Sequence, residues 1–159
     1  EFWETGTDTV LVSRNIYYYD SKWNEISMEE YNISNKLSFV KKYYTDSRGN
    51  DTLVLTTVFP YKKKKGASYK RRYLYDTNGQ MILEENYFNG KKNRMLIWKY
   101  DKDAHLIYDK VIISNNPFDK LGEDTHEYFY NQFGNIIEMR AYKEGELKQD
   151  VKYFYYYKK

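Results

Sequence analysis

Two histidines, a run of lysines, a ladder of aromatic rings and scattered carboxylates are the groups of this 159-residue chain that could do chemistry. His105 sits beside an aspartate-rich turn and His126 enters an apolar-aromatic stretch, and neither has a third ligand at a metal-binding spacing. With no cysteine, thiolate zinc sites, iron–sulfur clusters, disulfides and cysteine nucleophiles are all excluded. No Gly-x-Ser-x-Gly elbow, phosphate-cradling glycine loop or His-Glu-x-x-His helix occurs. Glu84 with Glu138 is a conceivable glycosidase pair, but their matching places in the repeat described below point to a solvated face. The chain is therefore read as non-catalytic, with no cofactor and no metal.

Two other features are candidates for binding. Residues 60–72 carry Lys62, Lys63, Lys64, Lys65, Lys70, Arg71 and Arg72 and no acid. That suits an anionic polymer, although a solvated loop that keeps a sheet edge from aggregating has the same composition. Residues 115–127 have the opposite sign, with four acids against Lys120. The second feature is the set of rings Trp23, Tyr75, Trp98, Tyr100 and Tyr130, whose flat faces could stack sugars. The plain alternative is that they pack the scaffold itself, because aliphatic residues are few.

Positioning these groups requires an all-β chain. Of the residues, 19% are aromatic, 20 of them tyrosine, and such rings suit half-buried pleated surfaces. Helical spacing of apolar residues is absent over any long stretch. Self-similarity is the strongest signal: Tyr73-Leu-Tyr75-Asp76-Thr-Asn-Gly79 matches Tyr128-Phe-Tyr130-Asn131-Gln-Phe-Gly134, with weaker copies at Tyr17, Tyr43 and Trp98. The turn residues Asp20, Asp46, Asp76, Asp101, Asn131 and Tyr156 are separated by 26, 30, 25, 30 and 25 residues, a true period of 55 or 56.

In each hairpin the first residue of the turn bonds backbone N–H groups, and Gly49, Gly79 or Gly134 supplies a left-handed residue at the fourth position. Where the glycine is missing, Asn24 and His105 are expected to take that conformation. Gly79→Val is accordingly expected to be far worse than Gly66→Val, Gly66 being placed in a loose loop. The fold expected is an extended, twisted or rolled antiparallel β-meander of about eleven strands built from tandem hairpins, with a β-sandwich or open barrel as the alternative. Residues 1–159 are read as one β-repeat domain turning near 20, 46, 76, 101 and 131.

The Tyr-x-Tyr-Asp-x-x-Gly pattern resembles the YD repeats of bacterial RHS-type surface and toxin-shell proteins, and its hairpin-per-repeat logic is similar to that of MORN-type repeats. The resemblance spans Tyr17 to Tyr157 and rests on turn and stripe residues, which in such families specify a scaffold and no catalytic residue. It implies an exported bacterial module, periplasmic or on the cell surface, that acts as a scaffold or binding surface. A chain start at Glu1-Phe2-Trp3, without methionine, fits a processed product. A glycan or another cell-surface protein is the expected partner. A net charge of +3 does not favour nucleic acid, and no apolar run approaches the roughly 20 residues of a membrane helix.

Overall fold

The aspartate turns set the architecture. In the computed structural model, which describes residues 2–5, 8–11, 13–60, 65–114 and 122–155 with side chains from residue 13 onward, every one of these turns closes an antiparallel hairpin. Eleven strands pair in chain order in a single open sheet: β3 (Ser13–Tyr19), β4 (Glu25–Asn32), β5 (Leu37–Thr45), β6 (Asp51–Val58), β7 (Ala67–Tyr75), β8 (Met81–Phe88), β9 (Lys91–Tyr100), β10 (Leu106–Ile113), β11 (Gly122–Tyr130), β12 (Ile136–Lys143) and β13 (Glu146–Lys152). The all-β meander read from the repeat is thus the observed fold, and the sheet closes into neither a barrel nor a sandwich. A separate two-stranded hairpin, β1 (Phe2–Thr5) with β2 (Asp8–Leu11), precedes it. The chain divides into two compact units, Glu1–Arg72 with Asn86–Lys91, and Tyr73–Glu85 with Lys92–Lys159.

The turns share one geometry. In each, the first residue's N–H bonds the carbonyl of the fifth, and the fourth residue's N–H bonds the carbonyl of the first, at 2.9–3.2 Å. A side-chain oxygen of Asp20, Asp46, Asp76, Asp101 or Asn131 accepts the N–H groups two and four residues on, at 2.8–3.1 Å. Gly49, Gly79 and Gly134 have φ of 87°, 85° and 78°. The two glycine-free turns differ from expectation. Their left-handed residues are Trp23 (φ 65°) and Ala104 (φ 70°), not Asn24 and His105. With two N–H groups fixed on one carboxylate, the fourth position is driven to positive φ whatever side chain it carries.

The other hairpin ends use two devices. Asn32-Ile-Ser-Asn35 repeats the aspartate-type turn, with Asn32 Oδ1 accepting from Ser34 and Lys36 and Asn35 at φ 55°. Asn89-Gly90 and Glu144-Gly145 are two-residue turns with both residues at positive φ, which matches strand twist. Gly66 lies outside any such turn, yet it is not loose. A Cβ there would stand 2.8 Å from the Val58 carbonyl oxygen and 3.1 Å from the Pro60 ring. The expected tolerance at Gly66 therefore fails, because a side chain would have to displace backbone.

Register places the repeated rings on one face. Tyr17 opposes Met28, Tyr43 opposes Val54, Trp98 opposes Asp109 and Tyr128 opposes Met139, each partner lying eight residues past its turn residue. By that rule Glu84 corresponds to Met139, so Glu84 and Glu138 are not equivalent and alternate to opposite faces. Among the described residues only Val54 and Glu85 are buried, and none is fully enclosed. Among the described residues the eleven strands form a single sheet. Its apolar area is instead sheltered by long side chains lying across rings, as Arg14 on Tyr31, Lys41 on Tyr43, Lys99 on Tyr108 and Arg140 on Phe129, with cation-to-centroid distances of 4.5–4.8 Å. The buried Glu85 carboxylate pairs with Lys92.

Candidate functional site

Trp23 is the most exposed of the large apolar side chains, at 83%. It stands at the tip of the β3–β4 hairpin in a left-handed conformation, which costs an L-residue roughly 1–2 kcal/mol. Its ring lies 6.2 Å from that of Tyr19, tilted by 49°. Tyr17 and Tyr19, two residues apart on β3 and therefore on one face, are also exposed. The turn that carries Trp23 lines a polar cleft of about 330 Å³ with the next turn, through Asp20, Lys22, Asn24, Asp46 and Arg48. Asn24 Nδ2 donates to Asp20 Oδ2, and with the backbone donors it holds the Asp20 carboxyl below the usual range. At Asp46 burial pushes the other way, but the donors of Asn50 and Arg48 outweigh it.

Of the other predicted rings, Tyr130 has a structural duty. Tyr130 donates its hydroxyl to the Leu106 carbonyl at 2.8 Å and stacks on His105 at 4.7 Å. Tyr155, its counterpart one hairpin later, donates to the Ile136 carbonyl at the same distance. Each of these two tyrosines is a strap to the first residue of the preceding return strand. Burial, then the nearby Asp101, raises the Tyr130 pKa, and burial, then Asp76, raises that of Tyr100. Tyr75, Tyr100 and Trp98 are half-buried on the same strands. Of the basic run, Lys65 is exposed and Lys62, Lys63 and Lys64 lie outside the described residues.

Two clusters escaped the sequence reading. Asp101, Asp103 and His105 bring three possible ligand atoms within 4.8 Å of one another. Asp101 is already committed, however: Oδ1 accepts two backbone N–H groups and Oδ2 lies 3.1 Å from His105 Nδ1. The same side-chain closure is made by Asn24 and Asn50 in their turns, so the cluster is the turn device with histidine in the fifth place. The second cluster joins β10 and β11. Asp109 accepts from Tyr128 at 2.7 Å through Oδ2, and its Oδ1 lies 2.8 Å from His126 Nδ1. An ionised Asp109 assigns the His126 proton to Nδ1.

Through Asp109 this triad ties β10 to β11. Burial first, and the Asp109 hydrogen bond second, raise the Tyr128 pKa well above the tyrosine range, so its phenolate is disfavoured. Among the described residues no hydroxyl nucleophile bonds the other nitrogen of His126. Asp109→Ala is expected to lower unfolding free energy by about 2 kcal/mol, since two half-buried donors lose a charged acceptor. Asp109→Asn should recover part of that in a urea melt. Equal stability of wild type and Asp109→Ala would show that water replaces the carboxylate fully.

No helix of the described residues is long and apolar enough to cross a membrane. No family model matches the chain and no curated protein does. Among solved structures it is similar to a chain of the Photorhabdus luminescens Tc holotoxin pore, at 11% identity and a TM-score of 0.43. That similarity covers 87% of this chain and 9% of the other.

Proposed function

We propose that the chain is a non-catalytic, exported β-repeat scaffold of the YD-repeat kind, and that its working part is a binding surface for glycans. The observation that supports this reading is Trp23. A turn position that is glycine in three of its sister turns holds the largest side chain available, strained at φ 65° and 83% exposed. Strain at a side chain that stays this exposed is the kind kept at functional positions. A tilted Tyr19–Trp23 pair beside a polar cleft offers a pyranose ring both a flat apolar face and hydrogen-bonding groups. The Tyr130 and Tyr155 straps support the scaffold half of the proposal, because each ties its strand to the hairpin before it. Trp98, half-buried beside Asp109, is the secondary candidate ring.

The test is a glycan array read with wild type, Trp23→Gly and Trp98→Phe. Trp23→Gly should abolish binding to the neutral glycans of the array while leaving stability unchanged or raised by about 1 kcal/mol, since glycine adopts this φ freely. Array binding indifferent to Trp23, or none for wild type, removes the glycan reading. A marked loss of stability in Trp23→Gly would show that the ring serves the fold.

A further inference from the structure

Three adjacent strands of the first compact unit concentrate positive charge. β5, β6 and β7 together carry Lys41, Lys42, Lys70, Arg71 and Arg72 against Asp51 alone. Register divides these between the faces. Lys42 opposes Leu55, and Leu55 opposes Lys70, so two lysines flank one leucine on a single face, two strand spacings or roughly 10 Å apart. That is the face opposite Tyr17, Tyr43 and Val54. The next row on it runs Glu29, Val40, Thr57 and Ser68.

A cavity of about 380 Å³ opens here, lined by Leu55, Thr57, Ser68, Lys70, Tyr87 and Gly90 among others, within the range of roughly 300–1,000 Å³ typical of ligand sites. Lys70 Nζ is held 4.9 Å from the centre of the Tyr87 ring. Among the described residues neither Lys42 nor Lys70 has a carboxylate partner. Of the acids on this face, Glu29 accepts the Tyr18 and Tyr31 hydroxyls at 3.0 and 2.8 Å, and Glu85, two residues from Tyr87, pairs with Lys92. Lys70, the hydroxyls of Thr57 and Ser68 and the Tyr87 ring thus line one groove, and Lys42 stands beside it, across Leu55 from Lys70.

We propose that this groove binds an oligosaccharide bearing carboxylate or sulfate groups, with Lys42 and Lys70 converging on the acid group. Their four-carbon stems are long enough to lean over Leu55 and bring both ammonium groups to one anion. Thr57 and Ser68 supply partners for ring hydroxyls, and Tyr87 supplies the stacking face when the Lys70 ammonium swings from that ring to the anion. Nucleic acid fits less well, because continuous base stacking needs a row of open rings, and of the two tyrosines lining this groove Tyr69 alternates to the other face. The assignment rests on reading the chain as a binding module and names a ligand class at a place away from Trp23.

The experiment is calorimetric titration with a galacturonate tetramer, a heparin-derived tetrasaccharide, maltotetraose and a short oligothymidylate. Variants are Lys42→Gln, Lys70→Gln, Tyr87→Phe and Trp23→Gly, each checked by circular dichroism. At least one acidic tetrasaccharide should bind. Each lysine change should weaken it roughly tenfold, equivalent to one charge-assisted contact, and Trp23→Gly should leave it unchanged. The carboxylate and sulfate probes separate the two acid groups. Binding of maltotetraose as tight as the acidic sugars, affinity unaffected by both lysine changes, or oligothymidylate bound more tightly than either acidic probe would each overturn the proposal. If acidic sugars fail while Trp23-dependent array binding persists, the groove assignment alone falls. Failure of both removes the binding-module reading as well.

Discussion

Gly134→Val is expected to destabilise the chain by about 3–4 kcal/mol, against about 2 kcal/mol for Gly49→Val. Both glycines are the fourth residue of an aspartate-type turn, at φ 78° and 87°, so a β-branched side chain meets the same backbone strain at each, about 1–3 kcal/mol. Their surroundings differ. A Cβ at Gly49 meets nothing within 4 Å, whereas at Gly134 it would stand 2.9 Å from His105 Nε2. The imidazole has little freedom to yield, being stacked on Tyr130 and bonded to Asp101. Overpacking of this kind adds about 1–3 kcal/mol. Urea melts of the two variants measure the difference. A double variant with His105→Ala should bring Gly134→Val back toward the Gly49→Val value. Equal losses at the two sites would mean that the neighbouring turns do not touch.

That pair of glycines also marks how far the sequence can be read. The turn shape was legible because it is written in local chemistry: an aspartate, a glycine three residues later and a fixed period. Chain-order pairing followed from the short connections. Trp23 and Ala104 were misread because propensity predicts where a left-handed residue is cheap, whereas the carboxylate of Asp20 or Asp101 dictates where it must be. Asn32-Ile-Ser-Asn35 went unnoticed because its asparagines do the work of the aspartate and glycine of the other turns. Gly66 was misjudged since its constraint is contact with Val58 and Pro60 across the loop, which leaves no local trace. The Asp109–His126–Tyr128 network and the Lys42–Leu55–Lys70 row exist only after register is known. Their members lie 13 to 28 residues apart or simply alternate with unrelated neighbours, so no spacing rule could have joined them. The hairpin β1–β2 falls outside the repeat and has no counterpart from which to infer it.

The same straps and networks make the fold sensitive to alkali. Hydrogen bonds to Glu29 raise the pKa of Tyr18 and Tyr31, and one to Glu127 raises that of Tyr142. Burial raises Tyr100, Tyr128 and Tyr130, with nearby aspartates adding to it. In every case the folded state holds the phenolic proton more tightly than the unfolded chain does, where tyrosine titrates near pH 10. Stability from these groups is therefore complete below about pH 10 and falls as the pH rises from there toward the folded values, because the unfolded state then releases protons that the native state retains. Urea midpoints should hold between about pH 7 and 9 and drop steeply above about pH 10, while tyrosinate absorbance in the native chain lags behind that of the urea-unfolded chain. Tyr128→Phe, which removes the most strongly shifted phenol, should flatten the drop even though it costs stability at neutral pH. Urea midpoints independent of pH through the tyrosine range, or native tyrosinate absorbance that coincides with the unfolded curve, would show that the hydroxyls bonded to Glu29, Asp109, Glu127 and the Leu106 carbonyl do not hold the sheet together.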